Sequence, residues 1–386
     1  MLQDGRATIF ADDLTGACDV SLPFHTTGLS CFVSIGAPLL GHPSTDVCII
    51  DMETRNLDSN NSYGQAFAHT QRLKLDGGRL AYLKMDSTWE GNVGHELRAI
   101  HDNRIVDLAI VAPAFPKMGR SVFNGQLLIR GKSDSQFLQE KLRHQGIQTL
   151  SHITTRQLEM TVEDLLDWVV SLHAQGTNTI TCDATCDEEL STIALLIDKL
   201  ESVHGLSVLP VGSAGLADHI IGDQTDSDSK RLSVAPSSVI AIIGSENKIT
   251  HDQLDVALRD DLLDELENSR DGMRICRLRC HTGKHSVIKM NWEAKMESML
   301  AEAMESWMAS TNCILFCSGG DTAKRVCEIA QAEGVHVLDQ VAPGIAAGTI
   351  HGGLLNGIQL ITKAGGFGPR DTISRILQSF NQRMVA

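Results

Sequence analysis

The stretch IFADDLTGACDV, residues 9–20, decides the fold. A short apolar lead runs into two carboxylates and then Leu14-Thr15-Gly16-Ala17, which predicts a strand end, a turn and a helix start. Open parallel sheets gather their chemistry beyond the carboxyl ends of the strands, and Asp12 and Asp13 fall at such a place. Simple N-capping, in which a side-chain oxygen satisfies a helix-start amide, accounts for the same two residues.

Working outward, TIFADD, DVCIIDME, LAYLKMD and DLAIVAPAF repeat the pattern of a short apolar run ending in polar residues and followed by a helix-compatible stretch. The pattern predicts a mostly parallel sheet with crossover helices on both faces. Thr161 caps an amphipathic helix that stops at Gly176, and TNTITCDA, DEELSTIALLIDKLES and LSVLPVG continue as strand, helix and strand. Leu190, Ile193, Leu196, Ile197 and Leu200 keep helical spacing, as core packing requires. The polar GDQTDSDSKRLSVAPSS, between Ile221 and Ser238, reads as an inter-domain linker.

Beyond it the rhythm restarts with SVIAIIG, the helix THDQLDVALRDDLLDELEN, HSVIKM, a methionine-rich helix carrying Met296, Met299, Met304 and Met308, CILFCSGG, DTAKRVCEIAQAEG, VHVLDQ and IQLITKAGG. The methionines read as packing. A chain of 386 residues is long for one core. The expected fold is α/β: two α/β domains with mostly parallel sheets and an active-site cleft between them, residues 1–225 and 226–386.

The formal net charge of −15 excludes broad affinity for nucleic acid or an anionic membrane, while leaving local phosphate pockets open. Ten cysteines are scattered without C-x-x-C and read as small buried hydrophobes of a reducing, cytoplasmic setting. Zinc at Cys182 and Cys186 lacks a second ligand pair at finger-like spacing. No apolar run approaches membrane-spanning length. Buried and exposed apolar faces look alike in sequence, so a homo-oligomer stays open.

Two turns at strand ends place free amides beside a helix start, a geometry that suits phosphate oxygens: Gly244-Ser245, and Ser318-Gly319-Gly320-Asp321-Thr322. Gly344 to Gly348, continuing through His351 to Gly353, reads as a third such segment. Lys363-Ala364-Gly365-Gly366 is a fourth, and adds a lysine. None is a P-loop or a G-x-G-x-x-G dinucleotide turn, which argues against an NAD-dependent dehydrogenase. In the first half, Lys84, Asp86, Ser87 and Asn92, with Arg120 after a stiff Pro-containing turn, supply cations, a carboxylate, a hydroxyl and an amide suited to a small polyhydroxy acid. Solvated strand ends or a structural ion pair explain Lys84, Asp86 and Arg120 equally well.

ADDLTGACD (11–19), KMDSTWEGNVGHEL (84–97), APAFPKMGRSVFNG (112–125), CDATCDEEL (182–190), VGSAGLA (211–217), IIGSENKITHDQ (242–253), CSGGDTA (317–323) and TKAGGFG (362–368) together resemble the four-carbon acid sugar kinases, the group acting on threonate, erythronate or 3-oxo-tetronate. The resemblance implies a sugar acid held by the N-terminal domain at Asp12, Thr15, Lys84, Ser87, Asn92 and Arg120. It implies ATP held by the C-terminal domain at Gly244, Ser245, Ser318, Gly319, Gly320, Asp321, Thr322, Gly348, Lys363, Gly365 and Gly366.

Asp13, with Asp86 as the alternative, is then the group that takes or orients the acceptor's proton. Mg2+ rides on the ATP phosphates and water, with Asp321 or an acceptor-side carboxylate assisting. Two departures stand out. Trp89-Glu90-Gly91-Asn92 replaces the family's Leu-Arg-Gly-Asn, putting an anion in place of a cation, and Glu246-Asn247 interrupts a usually small, hydroxyl-rich stretch. Both fit an alternative in which the chain is a catalytically weak nucleotide- or sugar-acid-binding paralogue.

Overall fold

The computed structural model describes residues 7–36, 45–221, 238–245, 247–260, 262–268, 274–278 and 313–385. The 222–237 linker, Glu246 and the methionine-bearing 296–308 stretch lie outside the described residues. The chain divides into two compact units, one of Met1–Leu29 with His42–Thr225, the other of Ser30–Gly41 with Asp226–Ala386. An early segment assigned by sequence to the N-terminal domain thus belongs to the second unit.

In chain order the described elements of the first half are β1 (Ala7–Ala11), α1 (Leu14–Thr26), β2 (Cys31–Ser34, of the second unit), β3 (Val47–Asp51), α2 (Ser59–Leu75), β4 (Arg79–Lys84), α3 (Val93–Asp102), β5 (Leu108–Ala112), β6 (Arg120–Phe123), β7 (Gln126–Ile129), β8 (Lys132–Phe137), α4 (Leu138–His144), β9 (Leu150–Ile153), α5 (Thr155–Leu158), α6 (Val162–Ala174), β10 (Thr179–Cys182), α7 (Asp187–His204), β11 (Val208–Gly212) and α8 (Ala214–Ile220).

The first unit's main sheet runs β3-β1-β4-β11-β5-β10-β9, with parallel neighbours throughout. Its central strands are buried end to end because helices cover both faces, so they lack polar alternation. The expected capping of α6 is present, with Thr161 Oγ1 accepting from the Asp164 amide at 3.2 Å. Leu190, Ile193, Leu196, Ile197 and Leu200 are all buried on α7.

A separate antiparallel sheet β6-β7-β8 follows the stiff turn. The β6–β7 hairpin tip is anchored by the buried Asp183, which accepts from the amides of Asn124 and Gly125 at 2.9 and 2.8 Å.

The second half contains β12 (Ser238–Ile243), α9 (Lys248–Arg259), β13 (Leu263–Asn268), β14 (Arg274–Leu278), β15 (Cys313–Ser318), α10 (Gly320–Ile329), β16 (Gly334–Ala342), β17 (Ile345–His351), β18 (Gln359–Lys363) and α11 (Thr372–Val385). Within the second unit the strand order is β12-β15-β18-β17-β16-β2. β12, β15 and β18 are parallel, whereas β17, β16 and β2 continue in antiparallel fashion.

This sheet is mixed where a mostly parallel one was expected. A two-residue connection containing Gly344, at φ 71°, joins β16 to β17, and so short a link permits only an antiparallel pair. The helix expected over THDQLDVALRDDLLDELEN ends at Arg259, and LDELEN pairs as β13 with β14. Its acidic run would lie at the negative end of the helix dipole.

Candidate active site

Register places the first unit's chemistry on one edge. Ala11 lies opposite both Asp51 of β3 and Lys84 of β4, and Lys84 lies opposite Gly212 of β11. The chain leaves β1 for β3 on one side and later adds β4 on the other, so β1 marks the point where strand order reverses, the place beyond whose strand ends open α/β sheets bind their ligands.

Asp13 caps α1 as expected, in extended geometry at φ −149°. Its Oδ1 accepts from the Gly16 amide at 2.8 Å and its Oδ2 from the Thr15 hydroxyl at 2.5 Å. A Cβ at position 16 would come within 2.5 Å of Asp13 Oδ1 and 3.2 Å of Lys84 Nζ, so any larger residue there displaces the Asp13 carboxylate.

Arg55 was not among the expected site residues. Its Nε and Nη2 form a fork onto Asp12 at 2.9 and 2.8 Å, and Nη2 also lies 2.7 Å from Asp13 Oδ1. The Arg55 backbone amide donates to the Asp12 carbonyl at 3.1 Å. Burial pushes the 2% exposed Asp12 carboxyl above its usual range, against the pull of Arg55. The hidden signal was position. Arg55 follows β3 by four residues, and β3 ends in register with β1.

Asn92, expected on the acceptor, donates through Nδ2 to the carbonyls of Thr54 and Leu57 at 2.9 and 2.8 Å, tethering the segment that carries Arg55. Lys84 is buried, donates to the Met85 carbonyl at 3.0 Å and lies 4.0 Å from Asp19. Asp86 accepts from the Thr88 amide at 2.7 Å and from the Thr88 hydroxyl. Burial works to raise the Asp86 carboxyl, but Arg55, these hydrogen bonds and Lys84 hold it below the usual range.

The buried Ser87 hydroxyl has no protein hydrogen-bond partner among the described residues. Arg120 is buried and donates to the Met118 carbonyl. Burial lowers its pKa, with Asp86 and Asp19 acting against that shift. Glu90 is exposed, and its amide lies 3.4 Å from Asp86 Oδ1. Burial and the charge of Asp86 raise its pKa.

Beneath Arg55, the fully buried Glu96 accepts from the Thr54 hydroxyl at 2.5 Å. Burial, reinforced by Asp12, pushes its carboxyl up to about 8. An acid that stays protonated in the native state while the unfolded chain ionises makes stability fall as pH rises, here between the ordinary glutamate value of 4.5 and about 8. The urea midpoint is therefore expected to drop over that window, and Glu96→Gln to flatten the drop. An unaltered slope in the variant would refute the assignment.

In the second unit, Ile243, Ser318 and Lys363 lie side by side in register, so Gly244-Ser245, Gly319-Gly320 and Ala364-Gly365 leave the sheet at one edge. The Gly319 amide donates to the Lys363 carbonyl at 2.9 Å, and the Ser245 amide to the Ser318 carbonyl at 3.2 Å. Gly319 has φ 112° and a Cβ there would lie 3.2 Å from the Ser245 backbone nitrogen, while a Cβ at Gly365 would come within 2.1 Å of Ser245 Oγ, so both turns pack closely on Ser245. Ser318 and Thr322 are buried, while Asp321 is exposed in the first turn of α10. Gly366 is partly buried in the same turn as Gly365.

Gly348 does not join this edge. It sits inside β17 opposite Val337 and Leu360, and a Cβ there would meet Val335 at 2.4 Å, so its smallness serves sheet packing. Gly353 packs against the Ala330 carbonyl at the far end of α10, on the order of 15 Å along the helix from Gly320. His351 lies 3.7 Å from Glu333 and meets Phe32 and His336 edge to face, also away from the three turns.

Among the described residues no helix is long and apolar enough to cross a membrane, and no group of three or more His, Cys, Asp or Glu is placed to hold a metal ion.

Comparison with known proteins matches residues 7–220 to a sugar-binding N-terminal domain and residues 268–373 to a nucleotide-binding C-terminal domain. A D-threonate kinase of Salmonella typhimurium is 25% identical over 418 residues, spanning 95% of this chain and 96% of that protein. A 3-oxo-tetronate kinase of Pseudomonas savastanoi pv. phaseolicola is 24% identical, over 95% and 96% of the two chains. A D-erythronate kinase of Heliobacterium modesticaldum is 25% identical, over 95% of each. The crystal structure of a Haemophilus influenzae protein shares the fold, with a TM-score of 0.70 at 19% identity, over 97% of this chain and 100% of that one.

Proposed function

The chain belongs to the sugar-binding N-terminal domain family of threonate, erythronate and 3-oxo-tetronate kinase-like proteins, and from that membership we propose that it is an ATP-dependent kinase. It transfers the γ-phosphoryl group to a terminal hydroxyl of a four-carbon sugar acid. The observation that carries the proposal is the pair of aspartates braced on Arg55 at the switch point of the first sheet.

Phosphoryl transfer asks for alignment of the acceptor and neutralisation of charge more than for covalent chemistry by the protein. Asp13 takes or orients the proton of the acceptor hydroxyl, with Arg55 fixing its carboxylate. Asp12, doubly bonded to the same guanidinium, holds that cation in place. Lys84 and Arg120 offset the acceptor's carboxylate, and Asp86 accepts from its hydroxyls.

ATP fits the three closely packed turns of the second unit, where glycine at 319 admits the Ser245 backbone and glycine at 365 the Ser245 side chain. The helix start at Gly320 adds amides and a positive dipole end for phosphate oxygens. Asp321, exposed in the first turn of α10, would help hold Mg2+ on the ATP phosphates, and the ion would supply charge neutralisation there. The reading requires the acceptor held at the Asp13 edge to meet the γ-phosphoryl. Acceptor-dependent ADP release across the isomers of threonate, erythronate and 3-oxo-tetronate tests it, and absence of any acceptor dependence would refute it.

Glu90 favours a second reading, a weak sugar-acid binder, because it adds a carboxylate beside Asp86. Glu90→Arg separates the two. Exchanging repulsion for a charge-assisted bond is worth about 1.5–3 kcal/mol, so KM for the preferred acid is expected to fall about tenfold or more with kcat little changed. An unchanged KM would place Glu90 outside the acceptor's reach.

A further inference from the structure

The turn after β18 is held from below by two buried side chains. Lys363 directs its ammonium at the Ala364 carbonyl at 3.0 Å, the Gly365 carbonyl at 3.2 Å and Thr250 Oγ1 at 3.4 Å. Three acceptors match the three protons an ammonium carries, and the side chain is fully buried. Thr250 Oγ1 in turn donates to the Gly365 carbonyl at 2.8 Å.

One helical turn further along α9, the fully buried Gln253 directs Nε2 at the carbonyls of Phe367, Gly368 and Pro369, at 2.9, 3.2 and 2.8 Å. Five carbonyls of the 364–369 segment are therefore drawn toward α9 by Lys363, Thr250 and Gln253.

We propose that Lys363 and Gln253 are positioning residues that clamp the carbonyls of this turn inward, so that its backbone amides, and not the lysine ammonium, meet the nucleotide phosphates. The inference rests on the kinase reading above and reassigns Lys363 within it. A peptide carbonyl and the following amide lie in one plane and point in opposite directions within it, so fixing the carbonyls toward the helix sets the amides that follow them away from it. The Phe367 amide is spent within the turn, on the Ala364 carbonyl at 3.2 Å, and the glycine amides on either side of it, so oriented, form an anion-binding concavity. A lysine whose protons are already directed at protein acceptors has no proton left for a phosphate oxygen.

The experiment compares Lys363→Met, Lys363→Arg, Gln253→Leu and the Lys363→Met/Gln253→Leu pair in the full-length protein. It measures KM for ATP, kcat, and, in the free protein, hydrogen exchange of the Phe367 amide, which donates to the Ala364 carbonyl within the turn. A neutral glutamine cannot act as a counterion to phosphate. The clamp therefore predicts that Gln253→Leu raises KM for ATP about as much as Lys363→Met, tenfold or more, with faster exchange confined to the turn and kcat at saturating ATP within a few-fold.

The paired variant is expected to lose no more than the worse single one, since both act on one turn. Lys363→Arg, which keeps the donors, is expected to recover part of the loss. A loss for Lys363→Met with Gln253→Leu unaffected, or losses that multiply, overturns the clamp and returns Lys363 to the phosphates. Globally accelerated exchange in both single variants also overturns it, since the two residues would then hold the unit rather than the turn. Wild-type protein that neither binds nor turns over ATP overturns the kinase reading itself, an outcome visible without any variant.

Discussion

Asp13→Asn is expected to lower kcat for the preferred four-carbon acid by about 10²–10⁴-fold, the range typical of losing a positioned proton acceptor. Asparagine keeps an oxygen for the Gly16 amide, and its Nδ2 in place of the second oxygen can donate to the Thr15 hydroxyl, so the cap on α1 survives and the fold with it. What the variant lacks is the charge paired with Arg55 and the basicity toward the acceptor. The loss should therefore appear in kcat, with the melting temperature nearly unchanged. Turnover equal to wild type would remove Asp13 from the mechanism and leave it as a cap alone.

Arg55→Met is expected to be the most destabilising single change in the first unit. It strips the counterion from Asp12, which is 2% exposed, and from Asp13. Breaking a buried pair from one side costs about 3–5 kcal/mol, because the remaining charge stays buried without compensation. Adding Asp12→Asn removes that charge, so the double variant should regain much of the stability in urea unfolding while staying inactive. A double variant no more stable than Arg55→Met would show that the guanidinium contributes packing rather than charge.

The Asp12–Asp13 edge was legible in the sequence where local chemistry and strand periodicity agreed. In residues 9–20 the apolar run, the two carboxylates and the glycine three residues beyond Asp13 all describe one strand, one cap and one helix, and each is found. Arg55 was not legible, because a cation in an irregular segment acquires meaning only from the strand beside it, and register between β1 and β3 is a tertiary property. Asn92 was read as a ligand because an amide beside a glycine turn suits a sugar hydroxyl as well as it suits the backbone carbonyls it meets here.

In the second unit, the turns at 244, 319 and 365 follow parallel strands, and the sequence order of strand, small residues and helix marked two of the three. Gly348 was misread because a glycine required by close sheet packing and one required by a turn look the same in a string of small residues. The β16–β17 hairpin was hidden by the same ambiguity. VHVLDQ followed by a proline-glycine pair is compatible with a crossover until the length of the connection is known.

The central claim is that this chain passes phosphoryl from ATP to the alcohol of a four-carbon acid. Mass spectrometry of the products after incubation with γ-18O-labelled ATP, Mg2+ and each candidate acid measures this directly. The account predicts labelled phosphate on the terminal oxygen of one acid in step with ADP. Consumption of ATP with label only in free phosphate, or no consumption with any acid, would contradict it.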